Sequence, residues 1–114
     1  MKKIIAISAA LLIAISSLTA QDSKIVETEF KVFGNCTQCK TRIEKAIKID
    51  EVKYAKWNKS TKMLKVAFEN SITADSLQRR LADVGHDTEK FKAKDKTYAQ
   101  LPKCCLYRES NNTH

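Results

Sequence analysis

Two cysteines three positions apart, in Gly34-Asn35-Cys36-Thr37-Gln38-Cys39, fall where the sequence changes its period. Before them, Val26, Thr28, Phe30 and Val32 alternate with Glu27, Glu29, Lys31 and Phe33, the two-residue period of a strand. After them, Ile43, Ala46, Ile47 and Ile49 form one stripe of a helix running from Thr37 to about Ile49, with Arg42, Glu44, Lys45 and Lys48 outside it. Gly34 frees the backbone for the turn between the two, and Thr37 is the expected cap. The spacing therefore sets two sulfurs side by side at a strand-to-helix turn. A helix N-terminus has unpaired N–H groups and partial positive charge, which favour thiolate over thiol. A thiolate pair either binds a soft metal or forms and breaks a disulfide.

The rest of the chain supplies one small domain around that turn. Val52 to Asn58 and Lys62 to Glu69 read as strands, with Leu64, Val66 and Phe68 on one face and the turn residues Asn58-Lys59-Ser60-Thr61 between them. Trp57 is expected to pack. Ala74 to Val84 is a second helix, capped by Thr73, with Leu77, Leu81 and Val84 as its stripe and Gly85 as its stop. Thr88 to Lys92 offers a short last strand around Phe91. The order is β-α-β-β-α-β. The expected fold is an α+β, ferredoxin-like sandwich, a four-stranded antiparallel sheet with two helices on one face.

The N-terminus has a separate character. Met1-Lys2-Lys3 is basic, Ile4 to Ile15 holds only Ile, Ala, Leu and one Ser, and Ser16 to Ala20 is mostly small. This is the layout of a signal peptide over residues 1–20, and the apolar run is short against the ~20 residues of a membrane span. The expected setting is periplasmic or secreted, without stable membrane insertion. A domain over 24–92 and a tail over 93–114 would follow. The tail stretch from Tyr98 to Tyr107 is apolar enough to dock, whereas Arg108 to His114 is expected to be loose. The formal net charge is +8, but basic and acidic residues are interspersed, as on a solvated surface. With export, that pattern argues against a nucleic-acid partner.

The four cysteines are Cys36, Cys39, Cys104 and Cys105. A staple usually closes a long loop, and neither pair would close one. Both pairs therefore read as sites. Nothing resembles a nucleophile–base–acid set or a phosphate loop, so the chain is not expected to be an enzyme.

A small β-α-β-β-α-β unit with Gly-x-Cys-x-x-Cys between first strand and first helix resembles the heavy-metal-associated domain. That family includes soluble copper chaperones, domains of soft-metal ATPases and periplasmic mercury-binding proteins. The likeness covers about Lys24 to Lys92, and Cys36 and Cys39 match the family's two metal ligands. The usual Gly-Met-x-Cys loop is one residue shorter here and lacks the Met. Gly85-His86-Asp87 stands where the family often has Gly-Tyr-Asp, beside the metal loop. The resemblance implies a carrier, chaperone or sequestering protein for Cu(I), with Hg(II) or Zn(II) as alternatives. Its implied partner is a metal-transporting ATPase, another membrane transporter or an apo-metalloprotein, and it is expected to be a monomer. Cys104, Cys105 and His86 are possible additional ligands. Two rival readings share the residues: a thiol–disulfide oxidoreductase and an interaction module with incidental cysteines. The single short unit, and the absence of a proline inside the cysteine pair or of an aromatic directly before it, count against the oxidoreductase.

Overall fold

The computed structural model describes residues 24–109. The signal-peptide reading of residues 1–20 and the last residue, His114, lie outside that range. Strand β1 runs Ile25–Lys31, helix α1 Thr37–Ala46, β2 Val52–Trp57, β3 Met63–Glu69 and α2 Ala74–Asp83. A one-turn helix α3, Asp95–Tyr98, and a 3-10 turn, Lys103–Cys105, follow. Among the described residues no helix is long and apolar enough to cross a membrane.

The sheet has three strands in the order β1-β3-β2, all antiparallel. Phe30 on β1 faces Leu64 on β3, which faces Trp57 on β2, and all three are buried. Val66 and Phe68 extend this apolar face along β3 at the two-residue period of a pleat. The hairpin closes because Asn58 Oδ1 accepts N–H groups from Ser60 and Thr61 at 2.8 and 3.0 Å. Lys62 then takes φ 67°, which re-aims the chain into β3.

Both helices feed the same core. α1 contributes Cys39 and Ile43, with Ile47 at its C-cap, and α2 contributes Leu77 and Leu81. Fully burying each Leu or Ile of this set is worth about 1.5–3 kcal/mol. α2 begins as its sequence suggests. Thr73 accepts the Ser76 N–H, and the Ser76 hydroxyl answers on the Thr73 N–H, a reciprocal cap. Gly85 ends it at φ +108°. Val84 lies outside the stripe, 36% exposed. At α1 the residue at the cap position is Cys36, not Thr37, which is already helical.

The expected fourth strand does not form. Only Thr88 bridges to Val32, flanked by the Phe33 N–H on the Asp87 carbonyl and the Glu89 N–H on the Lys31 carbonyl. Beyond Thr88 the chain folds back on itself. The Thr88 N–H bonds the Phe91 carbonyl at 2.7 Å, and the Phe91 N–H bonds Thr88 Oγ1 at 3.0 Å. That local turn takes up the Phe91 N–H and carbonyl, which a continued strand would have offered to β1.

The tail docks instead. Tyr98, Leu101 and Cys105 join the buried cluster, and Leu101 Cδ2 sits 3.0 Å from where a Cβ on Gly85 would lie. Arg108, expected in a loose end, is held by Asp87 and Asp95.

Candidate metal centre

The turn from β1 into α1 is shaped from below by Trp57. Its indole N–H donates to the Val32 carbonyl at 2.9 Å, and its ring edge passes 3.2 Å from the missing Cβ of Gly34. Cys39 Cβ is 3.0 Å from that same point. Any larger residue at 34 would push the tryptophan or the cysteine aside, so glycine here serves close packing. Asn35 is buried and brackets Cys39: its N–H lies 3.4 Å from Cys39 Sγ, and Cys39 Sγ lies 3.5 Å from Asn35 Oδ1.

Four sulfurs meet at this turn. Cys36 Sγ is 3.5 Å from Cys39 Sγ, 2.8 Å from Cys104 Sγ and 3.2 Å from Cys105 Sγ. Cys104 and Cys105 are 3.9 Å apart, and all four are free thiols. The sulfurs of Cys36, Cys104 and Cys105 all lie within 4.8 Å of one another. Cys39 and Cys105 are buried, whereas Cys36 and Cys104 are partly exposed. Cys36 and Cys39 are the pair that the spacing sets side by side. With the tail docked, only Cys36 of that pair faces solvent.

The thiols are not equivalent. Burial works to raise the Cys36 pKa, but hydrogen bonds from Cys104, Cys105 and Cys39 outweigh it and bring it down from 9.0 to about 7. Cys105 is pushed far up, first by burial and then by Cys39 and Cys36, with Arg42 opposing. Cys104 is raised chiefly by its hydrogen bond to Cys36. Cys36 is thus eased towards the thiolate, with the S–H groups of Cys104 and Cys105 beside it.

Two charged residues at the centre were not legible from sequence. Arg42 sits on the side of α1 read as solvent-facing, yet its Nη1 lies 3.4 Å from Cys105 Sγ. Arg108 fixes the tail just beyond the cysteines. Neither has a local signature, because each acts on residues distant in the chain.

His86 is placed differently from the expected ligand. Its Nδ1 is 2.7 Å from the Phe33 carbonyl, and its ring stacks on Tyr107 with centroids 5.5 Å apart. It does not join the sulfur group. The loop does lie beside the cysteine turn, and the histidine braces it there. His86 is fully buried, and burial lowers its pKa from 6.5 to about 4. The ring is therefore neutral in the fold, with Nδ1–H donating to Phe33. An unfolded chain takes up the proton first as pH falls from 6.5 towards 4. Stability present above 6.5 should then decline, with a slope of up to about 1.4 kcal/mol per pH unit. Urea unfolding at a series of pH values checks this, and the slope in that window should flatten in His86→Gln.

Known proteins place the arrangement. No family model matches the sequence, and no curated protein matches it. Solved structures do. A CopZ metallochaperone aligns with TM-score 0.52 and 26% identity, over 55% of this chain and 98% of the other. The water-soluble region of the P-type ATPase CopA from Bacillus subtilis aligns with TM-score 0.52 and 25% identity, over 60% of this chain and 47% of that one. Oxidized MerP from Ralstonia metallidurans CH34 shares the fold, with TM-score 0.54 and 23% identity, over 58% of this chain and 96% of that one.

Proposed function

We propose that this chain, whose fold and Cys-x-x-Cys turn resemble those of the heavy-metal-associated domains, is an exported carrier that binds Cu(I) through Cys36 and Cys39 and passes it on. The observation that carries this reading is the 3.5 Å approach of two sulfurs at the start of α1, one of them a thiolate near neutral pH. Soft thiolates select soft ions, and Cu(I) is satisfied by few sulfur ligands. Hg(II) shares that softness and is the nearest competitor. Zn(II) ordinarily takes four ligands in a closed structural site, which this pair offers only together with Cys104 and Cys105.

The partly exposed Cys36 gives a partner's thiolate a place to attack. One sulfur exchanges at a time, so the ion moves without being released to solvent. Similarity to a metallochaperone and to the soluble part of a P-type ATPase supports a transporter of that class as the partner, with an apo-metalloprotein as the other acceptor. Periplasmic or secreted placement follows from the leader-like residues 1–20.

Native mass spectrometry of the reduced chain with Cu(I), Zn(II) and Hg(II), before and after thiol alkylation, tests the reading. Retention of a soft ion that alkylation abolishes is expected. No retention, together with turnover of a disulfide substrate, would replace the carrier by a thiol–disulfide oxidoreductase.

A further inference from the structure

The tail cysteines lie outside the Lys24 to Lys92 unit, yet they approach Cys36 more closely than Cys39 does. We infer that Cys104 and Cys105 close over the ion, so that Cys36, Cys104 and Cys105 hold it in a three-sulfur site while the tail is docked. The Cys36–Cys39 pair is then the hand-over state, reached when the tail lifts. This rests on the carrier reading and adds a closed form to it.

Four observations point the same way. First, the three sulfurs already lie within 4.8 Å of one another in a chain whose thiols are free. An ion entering between them would find its three ligands already gathered. Second, the tail is held on both sides of the cysteines. Leu101 and Tyr98 are buried before them, and after them the Tyr107 hydroxyl donates to the Gly85 carbonyl at 2.6 Å and accepts the Asp87 N–H at 2.7 Å. A ligand pair fixed in advance loses little freedom on binding, which favours the closed site over an outside competitor. Third, charge is provided for. Three thiolates around a monovalent ion leave net negative charge, and Arg42 at 3.4 Å from Cys105 Sγ faces it together with the N-terminus of α1. Fourth, exposure is graded. Cys105 is buried and Cys104 partly exposed, so Cys104 is the sulfur a partner displaces first.

The closed form changes what the carrier does. An ion under the tail is shielded from exchange, and lifting one short segment returns it to the two-sulfur state. A partner that engages the tail would therefore trigger release as it docks.

X-ray absorption on the reduced full chain loaded with one equivalent of Cu(I) counts the sulfurs directly. Three are expected in the wild type, and two in Cys104→Ser and in Cys104→Ser/Cys105→Ser. The count should stay at three in Cys39→Ser, which separates this set from one using the buried helix cysteine. Loss of Cu(I) to a chelator should be faster in Cys104→Ser than in the wild type. Because Cys104 is partly exposed, that single variant keeps the test clear of any core damage at Cys105. Two sulfurs in the wild type, or equal counts and exchange rates in wild type and Cys104→Ser, would overturn the closed site while leaving the carrier intact. Tight Cu(I) retention by Cys36→Ser would instead overturn the carrier.

Discussion

Replacing Cys36 with serine is expected to abolish tight Cu(I) binding and leave the fold in place. Cys36 is the hub of the cluster: its sulfur lies within 3.5 Å of the other three, and its thiol is brought down to a pKa of about 7. A serine hydroxyl keeps the size of the side chain but is neither soft nor ionised at neutral pH. Loss of an outer-shell partner typically weakens a metal site ~10–100-fold, and loss of the central ligand should exceed about 100-fold. The fold should survive because Cys36 is partly exposed and its side chain does not cap α1. Cys39→Ser should behave differently. Cys39 is fully buried beneath Gly34, and a hydroxyl there costs burial that Asn35 and Cys36 offset only in part. Competition against a Cu(I) chelator, with circular dichroism on the same samples, separates the two variants. Unchanged affinity in Cys36→Ser would remove the site.

How far this was legible in the sequence depends on the range of each interaction. The turn from strand to helix was readable because its signals are local: a two-residue period, a glycine, then a helical stripe. The reciprocal cap of α2 and its glycine stop were partly readable for the same reason. The fourth strand was misread because Thr88 to Phe91 has acceptable strand composition, and composition does not reveal that Thr88 turns its own hydrogen-bonding groups back onto Phe91. Gly85-His86-Asp87 was placed correctly beside the metal turn, but the ring's direction was not. The Phe33 carbonyl that takes the imidazole, and the Tyr107 ring stacked on it, are 53 and 21 positions away from it.

The tail shows the same limit most sharply. Cys104 and Cys105 drew attention as a pair, but nothing near them in sequence indicates Cys36 as their neighbour. Seating them requires the Asp87 loop, the α3 turn and Arg108 together, which no period or motif encodes. The packing also divides the two sulfurs that the spacing sets side by side. Cys39 belongs to the core and Cys36 to the surface, so one helix turn spans both environments.

Arg108→Ala is expected to destabilise the folded chain by about 3 kcal/mol and to free the tail. Arg108 Nε and Nη2 grip both oxygens of Asp87 at 3.0 and 2.8 Å, Nη2 also reaches the Ala93 carbonyl at 2.7 Å, and Nη1 takes Asp95 at 2.9 Å. Its guanidinium also lies over the Tyr98 ring, 4.3 Å from the centroid. The Asp87–Arg108 pair is largely shielded, with side chains 16% and 21% exposed, so it exceeds the ~0–1 kcal/mol of a surface bridge. Removing the arginine strands a carboxylate whose remaining partner is the Ala93 N–H. Arg108→Lys should rescue little, since an ammonium cannot make the paired contact with a carboxylate. The effect has a defined pH dependence. Burial works to raise the Asp87 pKa, but the Arg108 hydrogen bonds outweigh it and hold it below the ordinary value of 3.8. The pair's contribution is therefore complete above that value and is lost as pH falls through the lower folded value. Urea unfolding from neutral to acid pH should show the wild type and Arg108→Ala far apart at neutrality and converging in acid. Alkylation of Cys105 should be faster in the variant at neutral pH, because a lifted tail exposes a thiol that docking buries. Parallel stability curves at every pH, with no change in Cys105 reactivity, would show that the arginine does not anchor the tail.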